Sequence, residues 1–218
     1  MTTLDLSRSV LLVPSTPNVD TILDGIVHLH AQCILHDHTL ATFHPPLSHS
    51  KMSSYWSIRL AQVGQGARHI IVQLLPITSR TADTPLPIFA ADNAAPMPAP
   101  GVEIEGEKYE VAGVVSLWKP ESETGPHRGE VEKLFTSPSH RRKGVARDVM
   151  RELERVARQD GRWSLLLDTI VDSDAEYVYP RLGYDKVGIV KAHGYNPEDG
   201  RLVDELFFSK DLRSSQPL

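Results

Sequence analysis

Arg141, Arg142, Lys143 and Arg147 crowd four cations into one short stretch of a chain whose formal net charge is −5 at pH 7. Gly144, Val145 and Ala146 stand among them, and Glu130-Val131-Glu132-Lys133-Leu134-Phe135-Thr136 runs ahead of them. The leading run reads as a strand, the basic stretch as a tight turn, and the residues beyond Gly144 as a helix. A helix start carries about four backbone N–H groups without an intrahelical acceptor, at the positive end of the helix dipole. Turned to solvent, these groups make an anion site. Gly144 has no side chain to hold a phosphate off the backbone, and Ala146 keeps the next turn small. The expected chemistry is the grip on a nucleotide-type diphosphate such as that of coenzyme A. The chain has no GxxxxGK[ST] and no GxGxxG, so the phosphate loop of NTPases and the dinucleotide fingerprint are both poorer matches.

Glu130 and Glu132 are two residues apart on the leading strand and therefore share a face. Paired carboxylates attract a cationic group, and the repulsion between them is expected to raise one pKa. A solvated strand edge is the plainer reading of the same pair. Asp168 and Thr169 end the strand predicted at 163–167 and could contact a substrate or serve a turn or N-cap. The ten histidines include His28-x-His30 and His36-x-His38. On a helix, residues two apart point about 200° away from each other and cannot chelate one ion. With no HExxH and Cys33 as the only cysteine, no metal site is expected, and Cys33 itself reads as core.

These groups need a scaffold. Val10–Val13 suggests a strand, 18–35 a helix with an apolar stripe, 47–63 a second helix and 68–75 a β-branched strand. Residues 76–100 are rich in proline and alanine and read as an extended, mobile loop inserted in the chain. Strands are predicted next at 108–117 and 130–136. The helix after the basic turn runs to about Arg158, with Val145, Val149, Met150, Leu153 and Val156 on one face. A short helix over 174–182 and strands at 184–190 and 204–209 complete the pattern. The class is α/β: a mixed sheet with helices on both faces and ligands at the carboxyl ends of its strands.

Composition limits the function. The acidic balance argues against general nucleic-acid or membrane binding. One cysteine suits a reducing interior. No signal peptide is read at the start, and no apolar run approaches the roughly 20 residues that span a bilayer. A single cytoplasmic domain over 1–218 is the expectation.

Arg141-x-x-Gly144-x-Ala146 after a strand resembles motif A of the GNAT superfamily of acyl-CoA-dependent N-acetyltransferases. Ala175-Glu176-Tyr177-Val178-Tyr179-Pro180-Arg181-Leu182-Gly183-Tyr184 resembles its motif B, with Asp172 where an asparagine usually stands. Further residues are similar to the subgroup of the tabtoxin-resistance acetyltransferase. They are Arg128-x-Glu130-Val131-x-Lys133-Leu134, Leu167-Asp168-Thr169, Val187-Gly188, Gly194-Tyr195, Asp199-Gly200 and Phe207-Phe208-x-Lys210, with Ala41-Thr42-Phe43, Pro46-Leu47 and Tyr55-Trp56 upstream. The Pro-rich loop departs from that pattern.

The resemblance implies a GNAT fold, its mostly antiparallel, twisted sheet splayed between the fourth and fifth strands. It implies acetyl-CoA as co-substrate, no metal, and direct attack by an amine in a ternary complex. The pantetheine arm would lie along Leu134, Phe135 and Thr136, and the backbone N–H of Phe135 or Thr136 could polarise the thioester carbonyl. Arg141, Arg142, Lys143, Gly144, Val145, Ala146 and Arg147, with Asp172 and Ala175, would hold the rest of coenzyme A. Tyr179 would protonate the leaving thiolate, and a half-buried core tyrosine is the alternative. Glu130 matches the register of a general base in several members, with Glu132 as helper, and a water relay is the alternative. Asp168, Thr169 and Tyr195 would meet the acceptor. A small-molecule amine, with detoxification of a toxin or antimetabolite, is the subgroup-level expectation. A polyamine, amino acid or protein amine is a second acceptor class, and a catalytically silent acyl-CoA sensor a rival from another class. A homodimer is a further expectation.

Overall fold

The computed structural model describes residues 9–37, 42–77, 89–93, 96–196 and 199–213. Its elements are β1 (Val10–Leu12), α1 (Val19–Asp37), α2 (His49–Gly64), β2 (Arg68–Pro76), β3 (Val102–Ile104), β4 (Glu107–Trp118) and β5 (Arg128–Thr136). They continue as α3 (Val145–Gln159), β6 (Ser164–Ile170), α4 (Asp174–Arg181), β7 (Asp185–Tyr195) and β8 (Leu202–Asp211). The strands form one sheet in the order β1-β2-β4-β5-β6-β8-β7, with β3 paired to β4. Among the described pairs only β5 and β6 run parallel. This is the α/β GNAT architecture that the motifs imply.

Helices cover both faces. α1 and α2 bury Ile22, Ile26, Leu29, Met52 and Trp56 against Ile70, Val72, Leu74 and Val114. α3 buries Val149, Met150, Leu153 and Val156 on the other face, against Ile71, Val115, Leu117 and Leu165. Strand alternation explains the split, since Ile70 and Val72 point one way and Ile71 the other. At the far side of α3, the Lys210 ammonium donates to Glu154 Oε1 and to the Leu182 carbonyl, each at 2.7 Å, with all of it buried. That network ties α3, β8 and the end of α4 together.

The helix boundaries fall within a residue or two of those expected. Three differences have physical causes. The 76–100 segment is not extended throughout: among its described residues Ala90–Asp92 makes a 3₁₀ turn, Phe89 is fully buried, and Asp92 accepts from the Ser48 hydroxyl at 2.8 Å. A proline-rich composition did not reveal one buried aromatic and one cap. Residues 78–88 and 94–95 of that loop lie outside the described residues, as does Ala41. β3 was not anticipated; it turns into β4 through Glu105 and Gly106, both at positive φ, as a tight hairpin requires. β7 and β8 are longer than expected because β7 is exposed along nearly its whole length, so burial imposes no alternation on it, and its ladder with β8 carries two register shifts. No helix among the described residues is long and apolar enough to cross a membrane.

Candidate active site

β5 changes face part-way along. It pairs with β4 as Thr136↔Gly113 and Phe135↔Val114, then as Glu132↔Ser116. Lys133 and Leu134 therefore both stand opposite Val115, and Lys133 takes φ +57°. One extra residue in one strand is a β-bulge, which bends the strand and re-aims its side chains. Val131 and Leu134 pack with the α3 core, whereas Phe135 packs with the α1–α2 core. Glu130 and Glu132, alternating with Val131, thus face the α1–α2 side.

Beside the bulge the sheet opens. The parallel ladder consists of Arg128↔Ser164, Gly129↔Leu165 and Glu130↔Leu166 and ends there. Beyond it β5 stays with β4 while β6 stays with β8. Leu166 and Asp168 lie on the Glu130 face, since Leu165 and Leu167 point into the α3 core. Across β8, Glu205 carries an ion-pair contact of 3.7 Å to His193 on β7.

The opening concentrates negative charge. Burial raises the Glu130 pKa, and the charges of Glu132 and Asp168 raise it further. Asp168 is also raised, chiefly by the protein around it, although Lys133 and His193 oppose the shift and Glu132 adds to it. Burial and Asp168 raise Glu205 as well, against His193. A carboxylate reaching solvent through a cleft, with protein on its other sides, explains a side chain that is accessible and yet poorly hydrated. Glu132 is placed differently: its Oε2 accepts from Arg68 Nη1 at 2.5 Å, and the same guanidinium donates to Ser116 Oγ at 2.6 Å.

Tyr179 approaches from α4. Its ring is buried against Tyr184 and Phe208, with centroids at 6.1 and 5.4 Å. Among the described residues its hydroxyl makes no hydrogen bond to another group. Burial raises its pKa well above the ordinary phenol value, and the Asp168 charge adds to this. The group is therefore a neutral O–H donor at physiological pH.

The basic turn leaves the end of β5. Ser137 N–H donates to the Ala112 carbonyl at 2.8 Å, a 3₁₀ turn spans Pro138–His140, and buried His140 contacts Glu110 Oε1 at 2.6 Å. Arg142 at φ +57° and Gly144 at φ +85° then bring the chain into α3. Alternating left-handed residues ahead of a helix turn backbone N–H groups into an anion-binding nest. Arg141, Arg142, Lys143 and Arg147 surround it, all four exposed. Close approach of α3 to the bulge requires Gly113: a Cβ there would stand 2.4 Å from Val145 Cγ1. Across the splay Asp172 precedes α4 at φ +65°, a conformation that favours Asp or Asn, and its N–H donates to Glu176 at 3.0 Å. Ala175 lies in the first turn of α4, against the α3 core.

The sequence profile described as Acetyltransferase (GNAT) family matches residues 71–184, just over half of the chain. This chain belongs to the GNAT acetyltransferase family. Similar solved structures include an N-acetyltransferase from Staphylococcus aureus Mu50, at 14% identity and TM-score 0.62, covering 94% of this chain and 99% of the other. A ribosomal-protein-alanine N-acetyltransferase from Brucella melitensis aligns at 17% identity and TM-score 0.61, covering 93% and 99%. The microcin C7 self-immunity acetyltransferase MccE, in complex with acetyl-CoA and AMP, aligns at 14% and 0.64, covering 96% of each chain. At these identities they share the fold.

In this GNAT chain Glu130, Asp168 and Tyr179 are near enough to one another for the Asp168 charge to act on both of the others. Three other predicted residues are held by partners or placed elsewhere, although the Glu132 charge still acts on Glu130 and Asp168. Glu132 is engaged by Arg68. Thr169 faces away from Asp168 and its hydroxyl meets Ser173 at 2.9 Å, at the cap position of α4. Tyr195 pairs with Leu202, beyond the last β6–β8 pair Ile170↔Glu205, and is 59% exposed on the hairpin overhang. Sequence reasoning named Lys133 only within the resemblance, without a role, and missed Arg68, His193 and Glu205. Only Glu205, alternating with Leu206 and Phe208, left a period-two trace that could have exposed it.

Proposed function

We propose that this GNAT acetyltransferase moves an acetyl group from acetyl-CoA to the primary amine of a small cationic molecule. The observation that carries the reading is the sheet opening at Glu130↔Leu166, which lets one co-substrate approach from the α3 side and the other from the acidic α1–α2 side. The solved MccE complex with acetyl-CoA supports the choice of donor. Leu134, Phe135 and Thr136 would run along the thioester arm, the N–H groups of Phe135 or Thr136 polarising its carbonyl. The nest from Arg141 to Arg147 would take the diphosphate, and Asp172 and Ala175 would flank the arm from α4.

An ammonium has no lone pair, so a proton must leave before attack. Glu130 accepts it, with its raised pKa bringing it nearer the operating pH. The freed amine then bonds to the acetyl carbon as the carbon–sulfur bond breaks. Tyr179 O–H gives its proton to the departing sulfur, and the second proton, shed by the nitrogen as the amide forms, restores the tyrosine hydroxyl, leaving neutral amide and thiol. Glu132 acts through its pair with Arg68, holding β5 in register and adding negative potential. Asp168 is the acceptor contact best placed on the Glu130 face, with Thr169 and Tyr195 as outer candidates.

Resistance to a toxin or antimetabolite bearing such an amine fits both the subgroup resemblance and the self-immunity role in the name of MccE. Protein amines are the second class, represented by the Brucella enzyme. The test is thiol release from acetyl-CoA across amino acids, polyamines, amine-bearing antibiotics and short peptides. Release confined to small cationic amines supports the reading. Release only with peptides shifts it to the second class, and acetyl-CoA binding without release to any amine favours the sensor.

A further inference from the structure

Away from the opening, α1 and the start of α2 bring Asp24, His28 and His49 together. One ligand atom from each lies within 4.8 Å of the other two. Asp24 and His28 are four apart on α1, the helical spacing that puts two side chains on one face. His49 Nε2 is 2.5 Å from Asp24 Oδ1, and His28 Nδ1 is 3.6 Å from the same oxygen. Tetrahedral zinc, with bonds of about 2.0–2.1 Å, holds its ligand atoms about 3.3–3.4 Å apart. The two observed separations bracket that distance.

The surroundings hold the imidazoles in place. Ser48 caps α2 and its hydroxyl donates to Asp92, while Ser50 N–H donates to the other Asp92 oxygen at 3.3 Å, so the helix start that carries His49 is anchored. The buried ring of Phe89 meets His28 and His49 edge-on, with centroids at 5.3 and 4.9 Å. His49 Nδ1 contacts Ser53 Oγ at 3.4 Å, an outer partner of the kind that orients ligating imidazoles. His28 is fully buried, whereas Asp24 and His49 each keep about a third of their side-chain surface in water, at 33% and 34%. An ion can therefore enter from that side. Two imidazole nitrogens with one carboxylate oxygen suit zinc rather than magnesium or calcium, which demand oxygen donors.

The geometry points to a zinc site formed by Asp24, His28 and His49 that clips α1 to the start of α2, with a fourth position open to water. On binding, His28 Nδ1 exchanges its 2.8 Å contact with the Asp24 carbonyl for the ion. The site plays no part in the acetyl transfer proposed above, so neither reading depends on the other.

The test is calorimetric titration of the chelator-treated full chain with zinc chloride, beside the variants H49A, D24N and H36A, each checked for native circular dichroism. The expected result is one equivalent bound by the wild type and by H36A, whose histidine is exposed near the end of α1. H49A and D24N should each weaken binding by about tenfold or more. Cobalt should give visible d–d bands in the wild type that H49A loses. No stoichiometric uptake by the wild type, or uptake unchanged in both H49A and D24N, would overturn the proposal. Should H49A misfold, D24N, which preserves volume, decides alone.

Discussion

Val131 and Phe135 stand four residues apart on β5 yet enter opposite cores. An uninterrupted strand would put both on one face. The extra residue at the Lys133 bulge reverses the alternation, so Glu130 faces the α1–α2 side while Leu134 returns to the α3 side. Lys133 holds φ +57° to achieve this, and a β-branched side chain tolerates that conformation poorly. Lys133→Val should cost about 1–2 kcal/mol in urea unfolding and weaken acetyl-CoA binding. Lys133→Gly should fold within about 1 kcal/mol of the wild type. Equal stability of the two variants would show that the bulge relaxes easily.

The parts of the candidate site legible in the sequence are those with a local signature. The Arg141–Arg147 turn and the Tyr179 helix carry residue types at fixed spacing that backbone geometry demands. The bulge carries none, because a lysine at positive φ looks like any other lysine. Arg68 and Glu132 are far apart in the chain, and only the β2–β4–β5 register brings them together. The β7–β8 hairpin was underread for a different reason: β7 is exposed on both faces, so nothing imposes alternation on it.

Glu132 is expected to be structural in its largest effect. Arg68 is 4% exposed, and removing the opposing charge leaves a guanidinium with only Ser116 and Gln62 as side-chain partners among the described residues. Breaking a buried pair costs about 3–5 kcal/mol. Glu132 keeps about a third of its surface in water, so Glu132→Ala should fall below that range, at about 2 kcal/mol. Thermal unfolding reads this directly. A variant with unchanged stability and abolished turnover would assign Glu132 to the chemistry instead.

Gly113 controls how closely α3 reaches the bulge. In Gly113→Ala the new methyl meets Val145 at the first turn of α3, and overpacking of this kind costs about 1–3 kcal/mol. Because Val145 is bonded directly to Gly144, the displacement should reach the nest. The dissociation constant for acetyl-CoA should rise more than the KM for the amine. A variant that loses stability while retaining full acetyl-CoA affinity would uncouple helix packing from the cradle.

Tyr179→Phe removes one oxygen from a buried ring that packs on Phe208 and Tyr184, and so should fold normally. If the hydroxyl protonates the leaving sulfur, kcat should drop by about 100-fold or more while acetyl-CoA affinity is retained. Single-turnover thiol release separates the two quantities. Loss of affinity with kcat preserved would make the hydroxyl a binding contact.

Glu130→Gln tests the base and carries a pH signature. The carboxylate accepts a proton only when ionised, and burial with Glu132 and Asp168 nearby raises its pKa. The acid limb of kcat/KM in the wild type should therefore lie above the ordinary glutamate range, and the Gln variant should lose both that limb and most of its rate. Stability should move the other way. A folded-state pKa above the unfolded value means that the folded protein holds the proton more tightly. The contribution of this group to stability is then greatest below the ordinary value of 4.5 and is lost as pH rises through the raised value. Gln is neutral at every pH, so the variant should be more stable than the wild type at pH 7, with the difference shrinking toward pH 4. Thermal unfolding at the two pH values measures it. A difference that does not depend on pH would mean that the Glu130 carboxylate is not destabilised in the cleft, and would remove the electrostatic argument for its role as base.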